Sequence, residues 1–457
     1  MVNDVLLDLG DGLVIRRGRA SDADALAAFN ARIHSDFGPE NPDEGIAAWT
    51  RDLLTKPHPT LKPEDFTIVE EPESGKIVSS MNLISQMWSY AGIRFGVGRP
   101  ELVGTLPEYR HRGLVRKQFD VVHQWSAARG ELVLAITGIP YYYRLFGYEM
   151  GLSLHGGRVG YPTHVPRLPA GQPEPYLVRP AVEADLPFIA RLYDMGCRRS
   201  LVACEWNEAL WRYELLVKDP KNINRSELRV IERAGADGAP GEVVGFLGHS
   251  PFAWGDLVAA TWYELEAGIS WAAVTPSVVR YLEAAYDACA AAAPGPALPE
   301  GKKPFGGFCF NLGDQHPVYQ VMGDQLPKTR RSYAWFVRVP DLPAFLTHIS
   351  PVLEQRLAGS PLAGYSGDLK ITFYRRGLHL VFEQGRLVKV KHWIPEPQGH
   401  SGDAAFPDLT FLHLLFGHRT LEALEYVFAD CWVQGDVARA LLQALFPCQP
   451  SDVWPVS

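Results

Sequence analysis

The chain has 457 residues, room for about three domains of roughly 150 residues, each able to bury a core of its own. Its composition, 47% hydrophobic, 21% charged and 11% aromatic, excludes a disordered or fibrous chain. The formal net charge of -8 disfavours nucleic acid or an anionic membrane as main partner and mildly favours a cationic one.

No apolar run approaches the roughly 18 residues of a membrane span. Asp4, Asp8 and Asp11 stand where a secretory signal needs a basic start and an apolar core. A cytoplasmic protein without a membrane partner is the expectation. Cys197, Cys204, Cys289, Cys309, Cys431 and Cys448 include no C-x-x-C pair and read as buried thiols.

In chain order, Leu13 to Arg16 reads as a strand, followed by Ser21-x-x-Asp24 and a helix with Leu26, Phe29 and Ile33 at helical spacing. Phe66–Glu70 and Ile77–Trp88 flank a Glu73-Ser74-Gly75 turn, and Glu101–Leu106 adds a strand. A helix is predicted from Gly113 to Arg129, ending at Gly130 before a strand over Leu132–Ile136. The segment from Gly156 to Tyr176, rich in Gly and Pro, reads as a linker. A strand at Leu177 to Arg179 then leads again into a helix, with Phe188, Ile189, Leu192 and Tyr193, which suggests a second copy of one domain. From about Asp341 the pattern changes to a helix over Phe345–Leu357, strands at Leu369–Phe373 and Leu378–Phe382, a turn at Gln384-Gly385, and helices over Phe411–Phe416, Leu421–Phe428 and Val437–Phe446. This reads as a small α+β domain.

The sharpest local feature is the loop from Thr105 through Pro107, Arg110, His111, Arg112, Gly113, Leu114 and Val115 to Arg116, between a strand and a helix start. Free N–H groups at a helix N-terminus, the positive end of its dipole, nearby cations and a glycine that permits close approach make an anion cradle. Downstream, a strand leads into Gly138-Ile139-Pro140-Tyr141-Tyr142-Tyr143, with Gly147-Tyr148 beyond. Strand, T-x-P turn, R-x-x-G-x-V, amphipathic helix, strand and Y-x-x-x-G-Y, in that order, resemble the GNAT superfamily of acetyl-CoA-dependent N-acetyltransferases. The sequence departs from that pattern at Val115, where a smaller residue is usual.

The resemblance implies that Val103, Gly104 and Thr105 pair through their backbone with the pantetheine arm. It implies that Arg110, His111, Arg112, Gly113, Leu114, Val115 and Arg116 hold the pyrophosphate, and that Gly138 and Ile139 line the other side. Tyr143 matches the general acid that protonates the departing thiolate; with a phenol near pKa 10 and a thiol near 8.5, that transfer is uphill by roughly 2 kcal/mol unless the site alters one of them. In the second copy Val274-Thr275-Pro276 reads as the same turn and Tyr319-x-x-x-Gly323 as the same aromatic motif, but no basic glycine loop follows. That copy is expected to be degenerate and catalytically silent.

Two such copies and a small α+β domain resemble the enhanced-intracellular-survival type of acetyltransferase, whose third domain is similar to sterol carrier proteins. The expected fold class is therefore α/β and α+β, tandem GNAT folds at 1–160 and 177–340 followed by a sterol-carrier-like domain at 341–457. The resemblance also implies a homo-oligomer, acetyl-CoA as co-substrate with no metal, and a C-terminal carboxylate, that of Ser457, which helps deprotonate the acceptor amine. Asp36 and Glu40, after the first helix, are candidates to attract a small cationic amine, an aminoglycoside-like compound or a lysine side chain. The rival expectation is a protein that binds an acyl-CoA or an apolar ligand without turnover.

Overall fold

The computed structural model describes residues 5–235, 240–293, 303–396 and 401–457. The chain begins with β1 (Val5–Gly10), β2 (Leu13–Arg17), α1 (Ala23–Ile33), α2 (Glu44–Thr55), β3 (Phe66–Glu71), β4 (Lys76–Tyr90), β5 (Ile93–Thr105), α3 (Leu114–Ala128), β6 (Val133–Thr137), β7 (Glu149–Leu154) and β8 (Gly157–Gly160). It continues with β9 (Tyr176–Pro180), α4 (Leu186–Cys197), β10 (Val202–Cys204), α5 (Glu208–Arg212), β11 (Glu227–Ala234), β12 (Pro240–His249), β13 (Leu257–Leu265), α6 (Trp271–Ala292), β14 (Gly307–Phe310), α7 (Val318–Met322), β15 (Lys328–Arg330) and β16 (Tyr333–Arg338). The last part holds α8 (Leu342–His348), α9 (Ser350–Ala358), β17 (Gly367–Thr372), β18 (Gly377–Glu383), β19 (Arg386–Trp393), β20 (Ala404–Ala405), α10 (Phe411–Leu415), α11 (Leu421–Val427), β21 (Trp432–Val433) and α12 (Asp436–Leu445).

Among the described residues the strands form three sheets. The first runs β1-β2-β3-β4-β5-β6-β16-β7, with β10 also on β4; the second runs β15-β8-β14-β13-β12-β11-β9; the third runs β19-β18-β17-β20-β21. The first two sheets exchange a strand. β16 lies between β6 and β7, while β8 lies between β14 and β15. The segment expected as a linker therefore starts with a strand of the second sheet, and neither 1–160 nor 177–340 completes its own sheet. Trp335 on the exchanged β16 is fully buried and packs edge-on against Trp88 of β4, with ring centroids 5.3 Å apart.

On α3, Leu114, Phe119 and Val122 turn inward, and Gln118 is also fully buried. A buried amide is tolerated only when satisfied. Its Nε2 donates to the Thr67 carbonyl and hydroxyl at 3.2 and 3.0 Å, and its Oε1 accepts from the Ser79 hydroxyl at 2.7 Å. Ser79 also bonds the Gly104 carbonyl at 2.7 Å, so the amide ties α3 to the end of β5.

Three expectations change here. Pro276, expected in a turn, lies inside α6; it lacks an N–H but not a helical φ, so the helix continues past it. The helix expected over 345–357 is two helices meeting at Ile349, with Pro351 in the first turn of the second. Of the six cysteines, Cys448 is exposed and Cys197 partly so. No helix among the described residues is long and apolar enough to cross a membrane.

Candidate active site

β5 and β6 run parallel and pair only at Val97 with Val133 and Gly98 with Leu134. Beyond that point the strands splay, and no strand among the described residues pairs with the β6-facing edge of residues 99–105. On its other edge β5 stays on β4 through Thr105, with a register shift opposite Ser80–Asn82. Leu102, in that shift, has φ +51°, a conformation costly for a residue with a Cβ. The bulge changes the alternation of side chains along the strand.

The loop after β5 is shaped by two left-handed residues, His111 at φ +63° and Gly113 at φ +74°. Gly113 is the N-cap of α3 and provides no side-chain cap, so the first N–H groups of the helix remain available to an anion. Arg110, His111, Arg112 and Arg116 are exposed around it. Arg112 turns away, its guanidinium 3.5 Å from Asp11 and over the Tyr109 ring. The others of this group line, with Val103, Gly104, Thr105, Gly113, Leu114, Val115, Gly138 and Ile139, one cleft of about 830 Å³.

Tyr143 also lines the cleft, on the short helical turn Tyr142–Phe146. Its ring is 6% exposed and packs against Phe119, Tyr142 and Phe336. Gly138 makes room for it, since a Cβ there would lie 1.9 Å from the tyrosine ring. Burial, then the charge of Glu101, raises the phenol's pKa, so the hydroxyl stays protonated but is a weaker acid than a free phenol, and its donation to a thiolate must be coupled to return of a proton from the acylated nitrogen.

The acidic residues expected at the acceptor side are elsewhere. Asp36 and Glu40 are exposed on the turn between α1 and α2 and do not line the cleft, and the adjacent Asp43 is buried as the N-cap of α2, accepting from Gly45 and Ile46. The carboxylate that lines the cleft is Glu101. Its Oε1 accepts from Arg99 Nη2 at 2.5 Å and from the Thr137 hydroxyl across the splay at 3.1 Å. His34, Ile46 and Trp49 line the cleft beside it. In the sequence Glu101 is marked only by its spacing to Arg99, in a strand that also carries Arg94, and His34 has no local signal.

The C-terminal tail is docked rather than frayed: Val453 and Val456 are at most 1% exposed, and Ser457 is 5% exposed. The Val456 carbonyl accepts from Arg99 Nη1 at 2.6 Å and Gln86 Nε2 at 3.1 Å. Ser457 accepts through its hydroxyl from Lys218 at 3.1 Å and is not among the residues lining the cleft.

The second sheet splays too, since β13 and β14 pair from Leu257–Gly307 to Ala260–Phe310 and then separate. Here the tail enters the opening. Trp454 packs on Trp262, Asp452 lies against Gly313, and the space remaining between them is about 70 Å³. The helix that follows, α6, is capped by the Ser270 side chain, which accepts from Ala273 N. Among the described residues no cluster of three or more His, Cys, Asp or Glu could hold a metal ion.

No curated protein sequence matches the chain. Solved structures similar to it include a probable N-acyltransferase from Enterococcus faecalis (TM-score 0.63, 12% identity, covering 96% of this chain and 97% of that one). A GCN5-related N-acetyltransferase from Kribbella flavida is similar at TM-score 0.58 and 17% identity, covering 96% and 97%, and Eis1 from Mycobacterium abscessus at TM-score 0.59 and 13% identity, covering 96% and 99%. At these identities the likeness is one of fold, and it extends over nearly the whole chain. Residues 15–151, which contain the splay, the glycine loop and Tyr143, match the acetyltransferase (GNAT) domain family, and this match supports an N-acetyltransferase.

Proposed function

We propose that the protein transfers the acetyl group of acetyl-CoA to a primary amine by direct attack in a ternary complex. The observation that carries this reading is the convergence, in one cleft, of the open edge of β5, the uncapped helix start at Gly113 and Tyr143. The backbone of Val103–Thr105 would hold the pantetheine arm, and the α3 N-terminus with Arg110 and Arg116 the pyrophosphate. Tyr143 keeps a proton at the splay and gives it to the leaving thiolate.

We read the second sheet and its helices as a degenerate copy of the same fold that has exchanged its last strand with the first. Ser270 occupies its helix N-terminus and the tail occupies its splay, which supports a silent copy. The tail's contact with the cleft runs through Val456, Arg99 and Glu101, so we give the tail a positioning part in addition to any part of the Ser457 carboxylate in deprotonation. We read the third sheet and its helices, residues 341–457, as the sterol-carrier-like domain that the resemblance implies. We place the protein in the cytoplasm and, on the same resemblance, take it as a homo-oligomer.

The rival is a protein that binds an acyl-CoA without turnover. Thiol release from acetyl-CoA by the full chain, against putrescine, spermidine, phenethylamine and Nα-acetyl-lysine, separates the two. Amine-dependent release is expected; binding of acetyl-CoA with no release on any amine would favour the rival.

A further inference from the structure

We propose that Glu101 and His34 form the acceptor subsite, in which Glu101 receives the ammonium group of a primary amine and the His34 ring takes the proton that the amine must lose. This rests on the N-acetyltransferase reading and adds the two groups that the sequence did not indicate. Both lie on the face of β5 that carries α1 and the tail. Arg99 and Glu101, two residues apart, share a face of the strand, and Arg99 reaches the tail on that side. Past the bulge at Leu102, the Cβ direction of Gly104 points to Ile33 at 2.8 Å and to His34 Nε2 at 3.4 Å, so α1 covers the same face.

Glu101 stands at the centre of the site. It meets Thr137 across the splay, and its charge acts on both Tyr143 and His34. Its carboxylate is mostly buried and partly neutralised by Arg99, which fits a group that attracts a cation without holding it tightly. His34 Nε2 is buried with no hydrogen-bond partner among the described residues, an unusual state for a ring nitrogen unless a ligand or a transferred proton satisfies it. Burial lowers the pKa of the ring and keeps it neutral, while the charge of Glu101 and the Leu102 backbone act in the opposite direction and would stabilise the imidazolium once the proton is taken. Ile46 and Trp49 of α2, both uncharged, line the cleft with it. They suit the carbon skeleton next to the amine.

The step balances. The ammonium gives one proton to His34, which later releases it to solvent. The neutral amine forms the C–N bond to the thioester carbonyl carbon, and the C–S bond breaks. The thiolate takes the proton of Tyr143, and the phenolate recovers one from the acylated nitrogen, leaving amide, thiol and a restored tyrosine.

The test uses the full chain with acetyl-CoA and whichever of the four amines above is turned over fastest. His34→Gln should lower kcat/KM by about 100-fold or more, within the usual range for a general base, abolish the acid limb of its pH profile, and regain part of the rate on adding imidazole. Glu101→Gln should raise the KM for the amine at least tenfold with acetyl-CoA affinity unchanged, and Glu101→Asp should recover part of it. Asp36→Asn and Glu40→Gln should leave that KM unchanged. Acetyl-CoA-dependent thermal stabilisation of each variant checks folding. Wild-type pH dependence retained in His34→Gln, or an unchanged amine KM in Glu101→Gln, would overturn the subsite. Absence of turnover by the wild type on every amine would instead overturn the N-acetyltransferase reading on which it rests.

Discussion

Arg99 donates from Nη1 to the carbonyl of Val456 at 2.6 Å and from Nη2 to Glu101 at 2.5 Å, so one buried guanidinium joins the C-terminal peptide to the carboxylate of the cleft. A charge buried at this depth needs both partners. Losing one leaves a desolvated group whose cost is about 1–3 kcal/mol or more.

The tail should therefore matter to the reaction and also to stability. Deleting Trp454–Ser457 removes the Val456 carbonyl from Arg99 and Gln86 and strips buried apolar surface at Val456. Turnover should fall at least tenfold, with a lower unfolding temperature and acetyl-CoA still bound. Ser457→Ala removes only the hydroxyl that meets Lys218 and should cost much less. Initial rates and thermal unfolding of the three proteins check this; equal rates would take the tail out of the mechanism.

Gly113 should be needed for its backbone angle, not for space. A Cβ there would meet nothing within 4 Å, but φ is +74°. A residue with a Cβ costs roughly 1–2 kcal/mol in this region, and a β-branched one is less tolerated than Asn. Gly113→Val should abolish the thermal stabilisation by acetyl-CoA, and Gly113→Asn should keep part of it. Equal stabilisation of Val, Asn and wild-type proteins would show that the loop does not hold the cofactor phosphates.

The glycine loop was legible in the sequence because its chemistry is local: a helix start, a residue allowed a positive φ and several cations within seven positions. Glu101 and His34 were not, because their meeting depends on a bulge at Leu102 and on α1 packing over Gly104, neither of which has a local signature. Asp36 and Glu40 look in sequence like any acidic lining of a cleft, and only tertiary structure separates an exposed turn from a wall. The exchange of β8 and β16 was hidden for a similar reason. A strand of four to six residues shows its faces but not which sheet it joins.

Tyr143→Phe should lower kcat by about 100-fold or more with little change in acetyl-CoA affinity, since the ring's packing on Phe119 and Phe336 is kept and only the proton donor is lost. Gly138→Ala tests the same residue from outside. Its methyl would fall on the tyrosine ring, displacing the hydroxyl and lowering kcat with Tyr143 still present. Wild-type turnover in Tyr143→Phe would leave the tyrosine as a core aromatic alone.

Asp452 should make docking of the tail depend on pH. Burial, then the nearby charge of Asp314, pushes its carboxyl from 3.8 up to about 7, and the charge of Glu264 acts the same way, while Arg199 opposes it. Its Oδ1 is buried with no hydrogen-bond partner among the described residues. A folded-state pKa above the unfolded value means that the folded chain holds a proton which the unfolded chain has released. Stability from this group is complete below about pH 3.8, falls as pH rises from there, and is lost once pH passes about 7. Asp452→Asn mimics the protonated form at every pH. It should raise the unfolding temperature, by an amount that grows between pH 4 and 7 and is constant above, and should flatten the decline of wild-type stability over that interval. The same substitution should leave acetyl-CoA affinity unchanged, because Asp452 sits in the second sheet's splay, apart from the residues lining the cofactor cleft. Thermal unfolding of both proteins at half-unit steps from pH 4 to 8 measures this, and a variant that loses stability relative to wild type above pH 7 would show that the carboxylate is ionised and paired in the folded chain.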